Sequence, residues 1–162
     1  MPVKLSVAKG VIIKGDGKGF ARPEILRRAR AMLACVQMEK HELSIVLTDE
    51  NQIQELNKNY RGKDRPTDVL AFAMREGDFS QLAGELLGDV IISVPTARNQ
   101  AIQHRRDALA EVTMLLAHGL LHLLGWDHDT AAKDKRMRAE TDRLCAAASK
   151  PLPRKQTRRP RK

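Results

Sequence analysis

One stretch limits the fold of this chain more than any other: "LLAHGLLHLLGWDH", residues 115–128. The run from Thr96 to Leu124 reads as helical, with a break near "QHRRD". Its second half is apolar on nearly every face, so it should pass through the middle of the fold. Three of the chain's five histidines nevertheless sit in or just after it, at 118, 122 and 128. Imidazole is polar, and placing three of them there without partners would cost stability, so something must hold them.

The spacing says what. His118 and His122 are four apart on a helix, so their rings leave one face with about 6 Å of rise between them. Gly125, free to adopt left-handed backbone angles, ends the helix and lets His128 turn back to offer a third nitrogen. The pattern H-x-x-x-H-x-x-G-x-x-H points to a metal. Three imidazoles with no cysteine nearby leave a tetrahedral zinc one ligand short, the arrangement of a catalytic site holding water; a structural zinc is normally closed by four protein ligands. Zinc on three neutral ligands keeps its double charge, lowers the pKa of bound water toward ~7 and polarises carbonyl or phosphoryl oxygens, so the site reads as hydrolytic. Asp127 and Asp129 either orient an imidazole or cap the next helix. His41 and His104 lie outside the pattern and read as ordinary hydrogen-bonded residues.

The remaining segments supply a sheet and further helices. Residues 2–7 alternate apolar and polar as a half-buried strand, and "GDGKG" follows as turn. From Arg22 the set Ile25, Leu26, Ala29, Met32, Leu33 and Val36 has helical spacing, with Pro23 in the first turn and Arg27, Arg28 and Arg30 on a solvated face. "ELSIVLT" reads as a strand, then "DENQIQELNKNY" as a helix started by Asp49 with Gln52 completing a capping box. "VLAFAM" and "LLGDVIISV" are two more strands, joined by the polar loop "REGDFSQLAG". A last amphipathic helix carries Met137, Leu144 and Ala148. Four strands and about five helices make an α/β chain with the metal site at the end of a central apolar helix.

At 162 residues the chain fits one domain, taken as 1–149, followed by a basic tail at 150–162. Net charge is +9, but the tail holds seven of the 29 basic residues and no acid, leaving 22 against 20, or +2, on the body. The tail cannot bury enough to order itself, and it suits a polyanion or serves as a solubilising terminus. No apolar run is long enough for a membrane span and the first residues lack a signal-peptide core, which predicts a cytoplasmic protein with no membrane partner. Cys35 and Cys145 read as buried, reduced thiols.

The same histidine spacing occurs in metzincin proteases, where glutamate follows the first histidine as general base; here that position is Gly119. The segment "HGLLHLLGWDH", with "NKNYRGKDRPTDVLAF" and "LLGDVIIS" upstream, instead resembles the YbeY family of metal-dependent endoribonucleases that act in rRNA maturation. The likeness spans roughly residues 40–145 in three ordered blocks. It implies an α/β fold with a small mixed sheet, a zinc ion on His118, His122 and His128, single-stranded RNA as substrate, work at the small-subunit RNA 3′ end and in ribosome quality control, and the ribosome or small-subunit proteins as partners. It also places the family's catalytic arginine on Arg61, whose planar guanidinium can hold two phosphate oxygens. The bland alternative has Arg61 paired with Asp64 or Asp68. Lys63 and Arg65 could position backbone phosphates. Asp89 borders the cleft by resemblance, and a capping or ladder role explains it equally well. Departures from the family pattern are Trp126 for tyrosine, Ala71 for serine and Ala73 for proline. A rival from another class is a ribosome-assembly factor whose metal is structural; a metzincin-like protease is a third reading.

Overall fold

A computed structural model describes residues 3–11, 13, 21–74 and 86–150. The turn expected at "GDGKG", the loop "REGDFSQLAG" and the basic segment after Lys150 lie outside the described residues. Strands β1 (Val3–Val7), β2 (Glu42–Thr48), β3 (Val69–Ala73) and β4 (Leu86–Ser93) form one mixed sheet in the order β1-β2-β4-β3. β1, β2 and β4 are parallel, and β3 runs antiparallel to β4 at the edge. Parallel neighbours need crossovers. Helix α1 (Arg22–Cys35) links β1 to β2, and α2 (Glu50–Arg61) with β3 links β2 to β4. Helices α3 (Val94–Gln103), α4 (Ala108–Leu123) and α5 (Ala131–Ser149) complete the α/β fold.

Strand alternation sorts the sheet's side chains onto two faces. Leu43, Ile45, Val90 and Ile92 join the main core with α1, α4 and α5. Ile91, Leu70 and Phe72 meet Ile53 and Leu56 of α2 on the other face. Helix α4 is the centre of the main core: Leu115, Leu116, Leu120 and Leu121 are all 2% exposed or less, each such burial contributing about 2 kcal/mol. Where α4 crosses the sheet, a Cβ on Gly119 would lie 2.6 Å from Val90 Cγ1. Only hydrogen fits there, and the helix closes onto β3 and β4 at that point. Among the described residues no helix is long and apolar enough to cross a membrane.

The expected break near "QHRRD" occurs: α3 ends at Gln103, and Asp107 caps α4 by accepting the Ala110 amide at 2.7 Å. Three local expectations need correction. Arg27 and Arg28 are not solvated; both pair with Glu24 and are half-buried, Arg28 also donating to Thr113 of α4 and Arg27 to the Lys150 carbonyl. Asp49 does cap α2 through the Gln52 amide. The Gln52 side chain, however, bonds the Asp49 carboxylate and Thr48, not the Asp49 amide that a capping box uses. Cys35 and Cys145 are free thiols, half-buried instead of fully buried.

Candidate metal centre

The last turn of α4 and the chain reversal after it assemble the histidines. Gly125 adopts φ +91°. Its amide bonds the His122 carbonyl and the Trp126 amide bonds the Leu121 carbonyl, both at 3.0 Å. This is the doubly bonded helix end that a left-handed residue permits. Asp127 then accepts the His128 amide at 2.7 Å, fixing the return. His118 Nε2 and His122 Nε2 lie 3.0 Å apart, and the His128 ring centroid is 5.8 Å from His118 and 5.4 Å from His122. One ring nitrogen from each histidine falls within 4.8 Å of the others.

That donor set fits a metal ion. Two nitrogens about 2.05 Å from a tetrahedral centre stand roughly 3.3 Å apart, close to the His118–His122 separation. Desolvation first, then the charges of His122 and His128, push the His118 pKa down; desolvation and His128 do the same for His122. Both rings are thereby held in the neutral form that ligates. Among the described residues no fourth histidine, cysteine or carboxylate joins the cluster. Asp127 binds a backbone amide and Asp129 pairs with Lys133, while α5 is capped by Thr130, so neither aspartate takes the capping role considered for it.

The cluster opens into a cleft of about 710 Å³ bounded by edge strand β3, the end of α2 and the loop after it. Arg61, the last residue of α2, reaches across this cleft to donate to the Ala71 carbonyl at 2.6 Å, its guanidinium carbon 5.4 Å from the Phe72 ring centroid. Asp64 is engaged by Gln54 and Lys58, and Asp68 by the Val69 amide and Gln100. Among the described residues no carboxylate pairs with Arg61, and its positive charge lowers the His122 pKa. Lys63 and Arg65 also line the cleft. Asp89 stands beside Phe72 in the sheet register, on the face opposite Val90 and α4, and does not line it.

Several residues that shape the site carried no sequence signal. Asn57 is buried and donates to the Arg65 carbonyl, while Lys63 donates to its own carbonyl, so one asparagine sets the course of the basic loop. Asp68 and Gln100 tie the start of β3 to α3. Of the two histidines outside the pattern, His104 pairs with Glu111. His41 differs from the expectation, because its Nδ1 is buried with no hydrogen-bond partner among the described residues.

Comparison with known proteins bears on the whole arrangement. The solution structure of TM1509 from Thermotoga maritima shares the fold, with a TM-score of 0.59 at 23% identity over 90% of this chain and 88% of that one. An endoribonuclease YbeY from an Anaeromyxobacter species is 45% identical over 131 residues, 81% of this chain and 66% of the relative. The one from Aquifex aeolicus is 39% identical over 127 residues, 78% of this chain and 82% of the relative. A Synechocystis relative of the same name is 46% identical over 110 residues, spanning 62% of its own length and 64% of this chain. The family profile described as Endoribonuclease YbeY matches residues 20–149, from the helix before β2 to the end of α5. This chain is therefore a member of the endoribonuclease YbeY family.

Proposed function

We propose that the chain is a zinc-dependent endoribonuclease that cleaves single-stranded RNA. Its setting in this reading is the cytoplasm, in maturation of the small-subunit RNA 3′ end and ribosome quality control, with the ribosome or small-subunit proteins as partners. Residues 1–149 form the catalytic domain, and the basic segment from Lys150 adds affinity for RNA. Family membership supports the reading. The observation that carries it is an Arg61 guanidinium without a carboxylate partner among the described residues, facing one cleft with three clustered imidazoles.

In this reading His118, His122 and His128 hold the ion. When bound, a divalent cation there supplies Lewis-acid polarisation of a phosphoryl oxygen and acidifies water in the cleft. Arg61 binds the scissile phosphate and stabilises the charge that grows on its oxygens. The Ala71 carbonyl and the Phe72 ring aim the guanidinium without neutralising it. Lys63 and Arg65 hold neighbouring phosphates. Gly119 stands where a metzincin carries its general base, and the Val90 methyls leave no room for a side chain there. The protease mechanism therefore has no proton acceptor at that position.

The test is cleavage of a labelled single-stranded RNA by the zinc-loaded chain beside Arg61→Ala. The variant is expected to lose about 100-fold or more, the usual cost of removing one donor to a developing oxyanion. A 2′,3′-cyclic phosphate opposite a 5′-hydroxyl would assign the attack to the RNA's own 2′-hydroxyl; a 5′-phosphate opposite a free 3′-hydroxyl would assign it to water. Normal cleavage by Arg61→Ala would remove Arg61 from the machinery, and no cleavage by the folded, loaded wild type would end the nuclease reading.

A further inference from the structure

Tyr60 is out of place by the usual rules of burial. It is the chain's only tyrosine, one of five aromatic residues in all, and it is 71% exposed. It lies on the rim of the cleft that holds the histidine cluster, directly before Arg61. Its ring meets Phe72 edge-on, centroids 5.5 Å apart at 64°. That contact orients the ring while most of the residue's surface stays open to solvent. Its surroundings are cationic: Arg61, Lys63 and Arg65 line the same cleft.

The strand beneath adds a second feature. The Ser93 amide bonds the Asp68 carbonyl and the Met74 amide bonds the Leu87 carbonyl. These two bonds set the phase of the antiparallel pair, so the even-numbered residues of β3 bond β4. The backbone groups of Ala71 and Ala73 therefore point away from β4, and both residues line the cleft. Among the described residues no backbone bond occupies these outward groups, and an unpaired strand edge presents amide donors and carbonyl acceptors in alternation.

We propose that Tyr60 is the stacking platform of a nucleobase subsite, which receives one unpaired base of a strand whose phosphate lies at Arg61. The outward Ala73 amide and carbonyl meet that base's hydrogen-bonding edge, while the Ala71 carbonyl stays with Arg61. The proposal rests on the reading that the substrate is single-stranded RNA, and it gives that preference a physical cause. A base in a duplex has its faces stacked and its pairing edge occupied, so it cannot enter; a base in a single strand offers both. An aromatic ring set among cations suits a polyanion carrying flat apolar groups, and a protein partner of ordinary composition would leave those cations unpaired.

Binding is measured first, so that the outcome does not depend on cleavage. A fluorescent, 2′-O-methylated single-stranded oligonucleotide is titrated by anisotropy against the full zinc-loaded chain, Tyr60→Ala, Tyr60→Leu and Tyr60→Phe. A set of oligonucleotides with one abasic site moved along the strand is titrated alongside. Tyr60→Ala and Tyr60→Leu should weaken binding by about 5- to 150-fold, the range for loss of one stacked base, and Tyr60→Phe should restore most of it. One abasic position should weaken the wild type by a similar factor and leave Tyr60→Ala unaffected. In cleavage of the unmodified RNA the loss should fall on KM more than on kcat. Equal binding by Tyr60→Ala, full rescue by leucine, or the same abasic profile in wild type and Tyr60→Ala would each overturn the platform. A wild type that binds with this signature but does not cleave would count against the nuclease reading alone.

Discussion

The two ends of α4 treat polar side chains in opposite ways. Near its start Glu111 is 0% exposed, yet Arg106 Nε reaches its carboxylate at 2.7 Å and His104 Nδ1 at 3.2 Å. Two residues further on, the Thr113 hydroxyl donates to the Leu109 carbonyl and accepts from Arg28. Every one of these groups finds its partner within the protein, as buried polar groups generally do. At the far end His118 and His122 turn their Nε2 atoms toward one another at 3.0 Å, and desolvation first, then neighbouring charges with His128 common to both, lowers both pKa values and favours the neutral rings. Two neutral imidazoles can share at most one proton between facing nitrogens. The first end is complete as folded; the second has surplus acceptors aimed at one point, which is what a cation completes. A polar cluster therefore speaks for a ligand only when its members lack partners of their own.

The contrast can be broken at either end. The largest effect is expected from His118→Ala, which should lower RNA cleavage by more than about 100-fold, since loss of an outer-shell partner alone costs metal sites 10–100-fold. The stability of the metal-free variant in urea should change by only about 1 kcal/mol, because an imidazole without a proper partner is being removed. A loss above about 3 kcal/mol without metal would make this end as structural as the other. Next, Arg106→Met strips the main partner from a fully buried carboxylate and should cost about 3 kcal/mol in urea denaturation. Cleavage per folded molecule should be unchanged. An unaltered denaturation midpoint would mean that His104 alone satisfies Glu111.

The smallest effect sharpens the comparison with a half-buried ion-pair cluster. Glu24 on α1 has its pKa held down to about 2 from 4.5, by Arg27 first and Arg28 after it, against the opposing cost of burial. The folded-state value is below the unfolded one, so the ion pairs contribute stability above about pH 4.5 and lose it progressively as pH falls toward 2. Glu24→Gln should therefore be slightly less stable than wild type at pH 7, with the gap closing through that acid range. Because the cluster is partly open to solvent, the effect should also shrink with added salt. A gap that persists at pH 2 would assign the loss to packing instead of charge.

The elements were legible because each has its own periodicity. β2 is the stretch "ELSIVLT" as read, α2 begins after Asp49, and the helix stop at Gly125 follows from a residue able to hold positive φ. The histidine cluster was legible because all three members lie within one helix and its terminal turn, where local geometry alone brings them together. Partners across the fold were not. Nothing in "NKNYRGKD" indicates that Arg61 would bond an edge-strand carbonyl in place of Asp64 or Asp68, since that depends on where β3 docks. The arginines of α1 looked solvated because helical spacing puts them between core positions, but the approach of α4 and α5 half-buries Arg27 and Arg28. Asp127 and Asp129 gave no clue to which would cap α5 because Thr130 does so instead.

The proposed open metal centre is tested most directly by zinc-edge X-ray absorption on the loaded chain, beside equilibrium zinc binding by wild type and His128→Ala. The expected result is one ion per chain with three nitrogen donors at about 2.0–2.1 Å, one further oxygen donor from solvent, and greatly weakened binding in the variant. Four protein donors around the ion, or tight zinc binding that survives loss of His128, would contradict it.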